Sequence, residues 1–184
     1  MSSPEIAKKI ATAKRYTQLV ECYRGSLEDD GIADIGYVVD ASNEFLMLQL
    51  VDDRISLNGY SLLRISDITR LDTEITHARF IEKALEIRKK SVNQPVLVDL
   101  TDISTILKSI DQNFPLMALH KESVDPDTCW VGSVDSIGDK TVTINEMSPD
   151  AKWNGTKRLN VDEITRIDFD GGYETALALV AKIR

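Results

Sequence analysis

Nucleophilic and metal-ligating side chains are scarce in this sequence: two histidines, His77 and His120, and two cysteines, Cys22 and Cys129. A thiol nucleophile needs a base within hydrogen-bond reach. No local spacing brings either cysteine to either histidine, so such a pair would have to be assembled by the fold. Zinc sites are marked by Cys-x-x-Cys, His-x-x-x-His or His-Glu-x-x-His spacing, and none of these occurs. His77 is expected on the solvent side of a helix and His120 at a strand edge. Among the acids, Glu28-Asp29-Asp30 and Asp52-Asp53 lack the alternating oxygens and fixed glycine of a calcium loop, so they read as solvated turns. Acid–base work by paired carboxylates would need a burial that turns do not offer. Asp170-Gly171-Gly172 could meet an anion at the start of the last helix, but reads more simply as a flexible cap. The Ile-Thr-Arg sequence occurs twice, ending at Arg70 and Arg166. Either arginine could contact an acidic ligand, although pairing with nearby Asp72 or Asp168 is the expected role. Trp130 and Trp153 are expected to finish a core, because neither lies among clustered basic residues. These residue types predict no catalytic group, no cofactor and no metal.

Composition sets the partners. Over 184 residues, 22 Lys and Arg stand against 30 Asp and Glu, a net charge of −8, with an isoelectric point near 4.8. Nucleic-acid affinity is built on clustered cations, so this balance disfavours it. No apolar run approaches the roughly 20 residues that span a bilayer, and the start, MSSPEIAKKIATAKRY, has no uninterrupted apolar segment, so no secretory signal is expected. Two cysteines make no disulfide framework, so the expected location is the cytoplasm.

The chemistry-bearing residues are positioned by a repeat. A shift of 96 residues lays Asn58-Gly59 on Asn154-Gly155, and Asp67-Ile68-Thr69-Arg70-Leu71-Asp72 on Glu163-Ile164-Thr165-Arg166-Ile167-Asp168. Gly36 and Val38 fall on Gly132 and Val134, and Leu63 falls on Leu159. Matches that cluster at glycines and core-type positions predict an internal duplication, with domains over 1–90 and 97–184 joined by a linker at Ser91–Pro95.

Each copy is expected to open with a helix, capped by Ser3 ahead of Pro4 in the first copy and by Asp102 in the second. Ile6, Ile10 and Ala13 share one helix face, as do Ile103, Ile106, Leu107 and Ile110. Four strands follow: Leu19–Leu27 with Pro115–Ser123, Ile35–Val39 with Val131–Asp135, Phe45–Val51 with Thr141–Met147, and Tyr60–Ile65 with Thr156–Val161. A fifth begins near Thr69 and Thr165. Turns are expected at Asp29-Asp30-Gly31, Asp125-Pro126-Asp127, Ala41-Ser42-Asn43 and Ile137-Gly138-Asp139, and at the Asn-Gly pairs before the fourth strands. Ile65 and Ile68 are three apart, as are Val161 and Ile164, which breaks the strand period and predicts one tight helical turn in each copy. Closing helices are expected over Glu74–Lys90, with Phe80, Ile81, Ala84, Leu85 and Ile87 on its apolar stripe, and over Tyr173–Arg184.

A helix, then five short strands with a tight turn before the fifth, is the plan of small bent-sheet barrels. The spacing Gly36-x-Val38, Phe45-Leu46-Met47-Leu48, Leu62-Leu63-Arg64-Ile65 and Ile68 resembles the Sm-like family, over roughly 50 residues of each copy. The resemblance implies a mainly β fold with flanking helices (α+β): two tandem five-stranded Sm-like bent β-barrels. Family members form rings and bind RNA through a polar residue after the second strand and an Arg-Gly pair after the fourth. Asn43 and Asp139 stand near the first of those places. The Arg-Gly pair is missing, since Arg64 precedes Ile65 and Arg158 precedes Leu159.

The inward candidates Val38, Leu46, Leu48, Leu63 and Ile65 are answered in kind by Val134, Val142, Ile144, Leu159 and Val161. The outward rows differ. Tyr37, Val39, Phe45, Met47, Tyr60 and Leu62 meet Ser133, Asp135, Thr141, Thr143, Thr156 and Arg158. An apolar row of that size demands a cover, whether the chain's own helix, the second copy or another subunit. The sequence therefore predicts a non-enzymatic binding or assembly protein with a protein partner or a second copy of itself, and an Sm-like RNA-binding module as the alternative.

Overall fold

The computed structural model describes residues 4–27, 33–92 and 97–183. The chain divides into two compact units, Met1–Val96 and Leu97–Arg184. It is mainly β with helices, and the described strand pairings within each unit are antiparallel.

In the first unit α1 (Pro4–Tyr16) leads to β1 (Leu19–Tyr23), β2 (Asp34–Ala41), β3 (Phe45–Val51) and β4 (Leu57–Arg64). A 3-10 turn at Ile65–Asp67 precedes β5 (Arg70–Asp72), and α2 (Ala78–Ile87) closes the unit. The second unit repeats this order: α3 (Ile103–Asn113), β6 (Met117–Lys121), β7 (Asp125–Ile137), β8 (Thr141–Met147) and β9 (Trp153–Asn160). A 3-10 turn at Val161–Glu163, β10 (Arg166–Phe169) and α4 (Gly172–Ala181) complete it. Strands run β5-β1-β2-β3-β4 in the first unit and β10-β6-β7-β8-β9 in the second. Within neither unit does the last of these pair back to the first among the described residues, so the sheet is not closed, in contrast to the barrels expected from the sequence.

Matching irregularities shape the two sheets. Register shifts fall between Val38 and Asp40 on β2 and between Val134 and Ser136 on β7, and again opposite Gln49/Val51 and Asn145/Met147. An extra residue at such points bends the strand and sharpens its twist. Gly36 and Gly132 have a steric reason: a Cβ at either would run into the carbonyl oxygen of Gln49 or Asn145 across the ladder. Gly59 and Gly155 have positive φ, 66° and 83°, but they sit inside β4 and β9 at the second register shift rather than in a turn. The reversals lie earlier, at Asp52–Ser56 and Ser148–Lys152. There Ile55 and Ala151 take φ of 56° and donate to the carbonyls of Asp52 and Ser148 at 2.9 Å.

Several boundaries differ from expectation. Asp125-Pro126-Asp127 belongs to β7, because the reversal is made by residues 122–124 and Lys121 pairs with Asp125 across a register shift. Proline is accommodated there at a strand start, where a missing N–H costs little. Val20 pairs with Gly36 but Met117 with Gly132, so β1 and β6 correspond one residue beyond the 96-residue shift. The closing helix of the first unit is shorter than predicted at both ends, and that of the second starts one residue earlier, at Gly172, and ends at Ala181. On α2, Ile81 and Leu85 are buried, while Phe80 and Ile87 are 63% and 71% exposed. Ser3, the Asp29-Asp30-Gly31 turn and most of the linker lie outside the described residues.

The first unit's core joins Ile6, Ile10 and Ala13 of α1 to Val20, Cys22, Val38, Leu46, Leu48, Leu63, Ile65, Ile68 and Leu71. Full burial of such aliphatic side chains contributes ~1.5–3 kcal/mol each. In the second unit α3 is capped by Asp102, which accepts from the Thr105 amide at 3.0 Å, and it buries Ile106, Leu107 and Ile110 completely. Leu177 and Ala178 of α4 pack on Leu116, Ala118, Val131 and Met147. No described helix is long and apolar enough to cross a membrane.

Candidate functional site

The Thr-Arg-x-Asp segment that occurs twice in the sequence builds the same corner in both units. Thr69 donates from its amide and its hydroxyl to the Tyr23 carbonyl at 2.9 and 3.1 Å, while its Oγ1 accepts from the Gly25 amide at 3.0 Å. Thr165 treats the His120 carbonyl alike at 3.0 and 3.3 Å, and its Oγ1 accepts from the Glu122 amide at 3.1 Å. Each following arginine meets the aspartate two residues on. Arg70 Nε lies 3.0 Å from Asp72, and Arg166 Nε lies 2.7 and 2.9 Å from the two oxygens of Asp168.

The neighbour from the first strand distinguishes the two corners. In the first unit it is Tyr23, on whose ring the Arg70 guanidinium stacks at 3.7 Å. In the second it is His120, with Nε2 3.1 Å from Asp168 Oδ2. His120 is not at an edge. β6 lies between β10 and β7, and His120 faces Arg166 on one side and Cys129 on the other. Glu174, in the first turn of α4, is buried and close enough for its charge interactions to reach Asp168, His120 and Cys129. Five polar groups from four elements thus gather on one side of the second sheet.

Their electrostatics favour a structural lock over a reactive centre. Burial alone would raise the Asp168 carboxyl, but the close approach of the His120 ring and the charge of Arg166 outweigh it and hold the group well below the usual carboxylate range. Burial pushes the Glu174 carboxyl up, and the Asp168 charge adds to this. The Cys129 thiol is also raised, first by partial burial and then by Asp168 and Glu174. A nucleophilic cysteine requires the opposite shift, toward thiolate. Although the fold sets Cys129 opposite His120, it holds that sulfur protonated. Among the described residues no group of three His, Cys, Asp or Glu side chains could hold a metal ion. His77 is exposed just ahead of α2. Asp52 closes a turn by accepting from the Arg54 and Ser56 amides at 3.0 Å, and Glu28-Asp29-Asp30 lies outside the described residues.

Tyr37, Val39, Phe45, Met47, Tyr60 and Leu62 are all buried, none more than 7% exposed. Ile81 and Leu85 of α2, with Leu19, cover Tyr37. Burial also raises the Tyr37 phenol, with Glu82 adding to the shift. Arg64 lies 5.5 Å from the Phe45 ring centroid. The matching row in the second unit remains open to water: Asp135, Thr156 and Arg158 are exposed and Ser133, Thr141 and Thr143 half-buried.

Asn43 and Asp139 are both exposed. Asn43 lines an open groove of about 320 Å³ with Ile10, Lys14, Ser42 and Ile65, but Lys14, the cation there, is bound to Asp40 at 2.5 Å. The tryptophans depart from expectation. Trp153 is 49% exposed, and half-buried Trp130 has Lys121 and Lys157 each 5.4 Å from its ring centroid. These lysines are distant in sequence and converge through strand pairing, so no local pattern announced them. Comparison with family models, curated proteins and solved structures finds no match for this chain.

Proposed function

We propose that the chain is a cytoplasmic, non-enzymatic binding and assembly protein made of two copies of one Sm-like module, in which the first copy supplies the hidden apolar core and the second presents the working surface. The carrying observation is the contrast between the two outward rows: Tyr37 to Leu62 is buried, whereas Asp135, Thr156 and Arg158 at the matching places are exposed. Repetition of the register shifts, the steric glycines and the Thr-Arg-x-Asp corner supports the duplication. Since the apolar row is already covered in a single chain, it offers no bare face to a second subunit.

A protein partner fits the charges better than RNA does. Lys14, Lys121 and Arg166 are engaged by Asp40, Glu163 and Asp168, and the chain as a whole is strongly acidic. Phosphate-driven binding would require free clustered cations and would weaken steeply with salt. The test is retention from host lysate on immobilised full-length chain, with and without nuclease, across a salt series. A specific protein retained after nuclease and through moderate salt is expected. Retention of RNA alone, lost on raising salt, overturns this in favour of the RNA-binding module.

A further inference from the structure

The outermost strand of the second unit is unusual in how little covers it. β9 pairs with β8, and the six residues from Trp153 to Arg158 are all exposed. The phase of its hydrogen bonds follows from its end. Val161 donates to the Lys140 carbonyl at 3.1 Å, one step beyond the Thr141↔Asn160 pair. In an antiparallel ladder bonded and non-bonded pairs alternate. Lys157 and Leu159 therefore direct their backbone groups to β8, and Thr156, Arg158 and Asn160 direct theirs away from it. The bulge at Gly155 and the 3-10 turn at Val161 bound this strip.

We propose that this edge is a docking site for an extended, acidic segment of a partner protein, which adds to the second sheet as a further antiparallel or parallel strand. The inference rests on the protein-binding reading above and names its surface. Backbone groups on an open edge are recognised by another strand, so the ligand's conformation follows from the site. Its charge follows from Lys157 and Arg158, the only charged residues of β9. Neither forms an ion pair among the described residues, Lys157 lying over the Trp130 ring instead, and successive strand residues point to opposite faces. An added strand would meet one cation on each side, which selects carboxylates at neighbouring positions. The same two cations oppose the pairing of β9 with β9 of a second copy, since like charges would then face each other across the new ladder.

The experiment uses the full chain and two synthetic peptides, one alternating threonine with glutamate and one alternating threonine with lysine. Hydrogen exchange at the Thr156, Arg158 and Asn160 amides and mass by light scattering are followed together. The glutamate peptide is expected to slow exchange at these amides at least tenfold, while the lysine peptide leaves them unchanged. R158P removes one outward N–H without touching the β8 ladder and is expected to abolish that protection. The double variant K157E/R158E keeps the backbone and is expected to prefer the lysine peptide, and this reversal is decisive if R158P fails to fold. Equal protection by both peptides, protection by neither, or amides already protected in a self-associated free chain each overturn the proposal. Should the peptides fail while a lysate protein is still retained after nuclease, the surface is wrong and the binding function stands.

Discussion

At the level of single residues, the two Arg–Asp corners are a matched pair that differ in burial. The Asp168 side chain is 19% exposed and holds both Arg166 and His120, while Asp72 is 35% exposed and its arginine 58%. Removing one partner from a buried pair leaves an uncompensated charge and costs about 3–5 kcal/mol, whereas an exposed pair contributes at most ~1 kcal/mol. Asp168→Asn is therefore expected to destabilise the second unit by about 3 kcal/mol in urea, and Asp72→Asn to change stability by well under 1 kcal/mol. The pH dependence has a definite sign. The Asp168 carboxyl is depressed in the folded state, so its stabilisation is present above the ordinary aspartate value near ~4 and is lost as pH falls toward the folded value. The acid limb of the stability curve should flatten in Asp168→Asn. An unchanged limb would mean that Asp168 is not held as described. The arginines were legible in sequence because they recur with their aspartates. His120, Cys129 and Glu174 were not, since they come from three different elements and share no spacing.

Among the elements, legibility tracked how strongly burial dictates sequence. β3 and β8 begin and end where their apolar alternation does, at Phe45–Val51 and Thr141–Met147, because a one-residue slip would turn every core side chain outward. β7 extends six residues earlier than its apolar signal, since Asp125–Trp130 is strand by pairing to β6 rather than by burial. α2 buries less than its apolar stripe: Ile81 and Leu85, with half-buried Ala78, reach the cluster with Leu19 and Tyr37, whereas Phe80 is exposed. Two predictions test these assignments. Leu85→Ala should cost about 2–4 kcal/mol, with Phe80→Ala within about 0.5 kcal/mol of the parent, as expected of a surface change; equal costs would place both on the buried face. Ala151→Gly should leave the second unit as stable or up to ~1 kcal/mol more stable, because φ of 56° strains an alanine and not a glycine. A clear loss of stability would show that its methyl contact with the α4 cluster outweighs the backbone term.

In the molecule as a whole, each unit carries one thiol, and the two thiols report on different cores. Cys22 lies within the first unit's cluster and is completely buried, while Cys129 is at the exposed surface of the second. Gly36 and Gly132 are each pressed against a carbonyl of the neighbouring strand, so Gly36→Ala and Gly132→Ala are equivalent lesions placed in separate units. Forcing a side chain into so close an approach costs about 1–3 kcal/mol or more, because backbone has to move. In the parent chain a thiol reagent at neutral pH should modify one cysteine, slowly because the Cys129 thiol is held above its ordinary value, and the second only as the first unit opens. Gly36→Ala is expected to accelerate modification of Cys22 at least tenfold and leave the Cys129 rate alone, since about 1.4 kcal/mol already corresponds to a factor of ten in the open population. Gly132→Ala should leave Cys22 protected if the units open separately. Equal acceleration of Cys22 by both variants would instead establish that the two cores unfold as one cooperative body. In that case a partner that tightens the second unit would also stabilise the first.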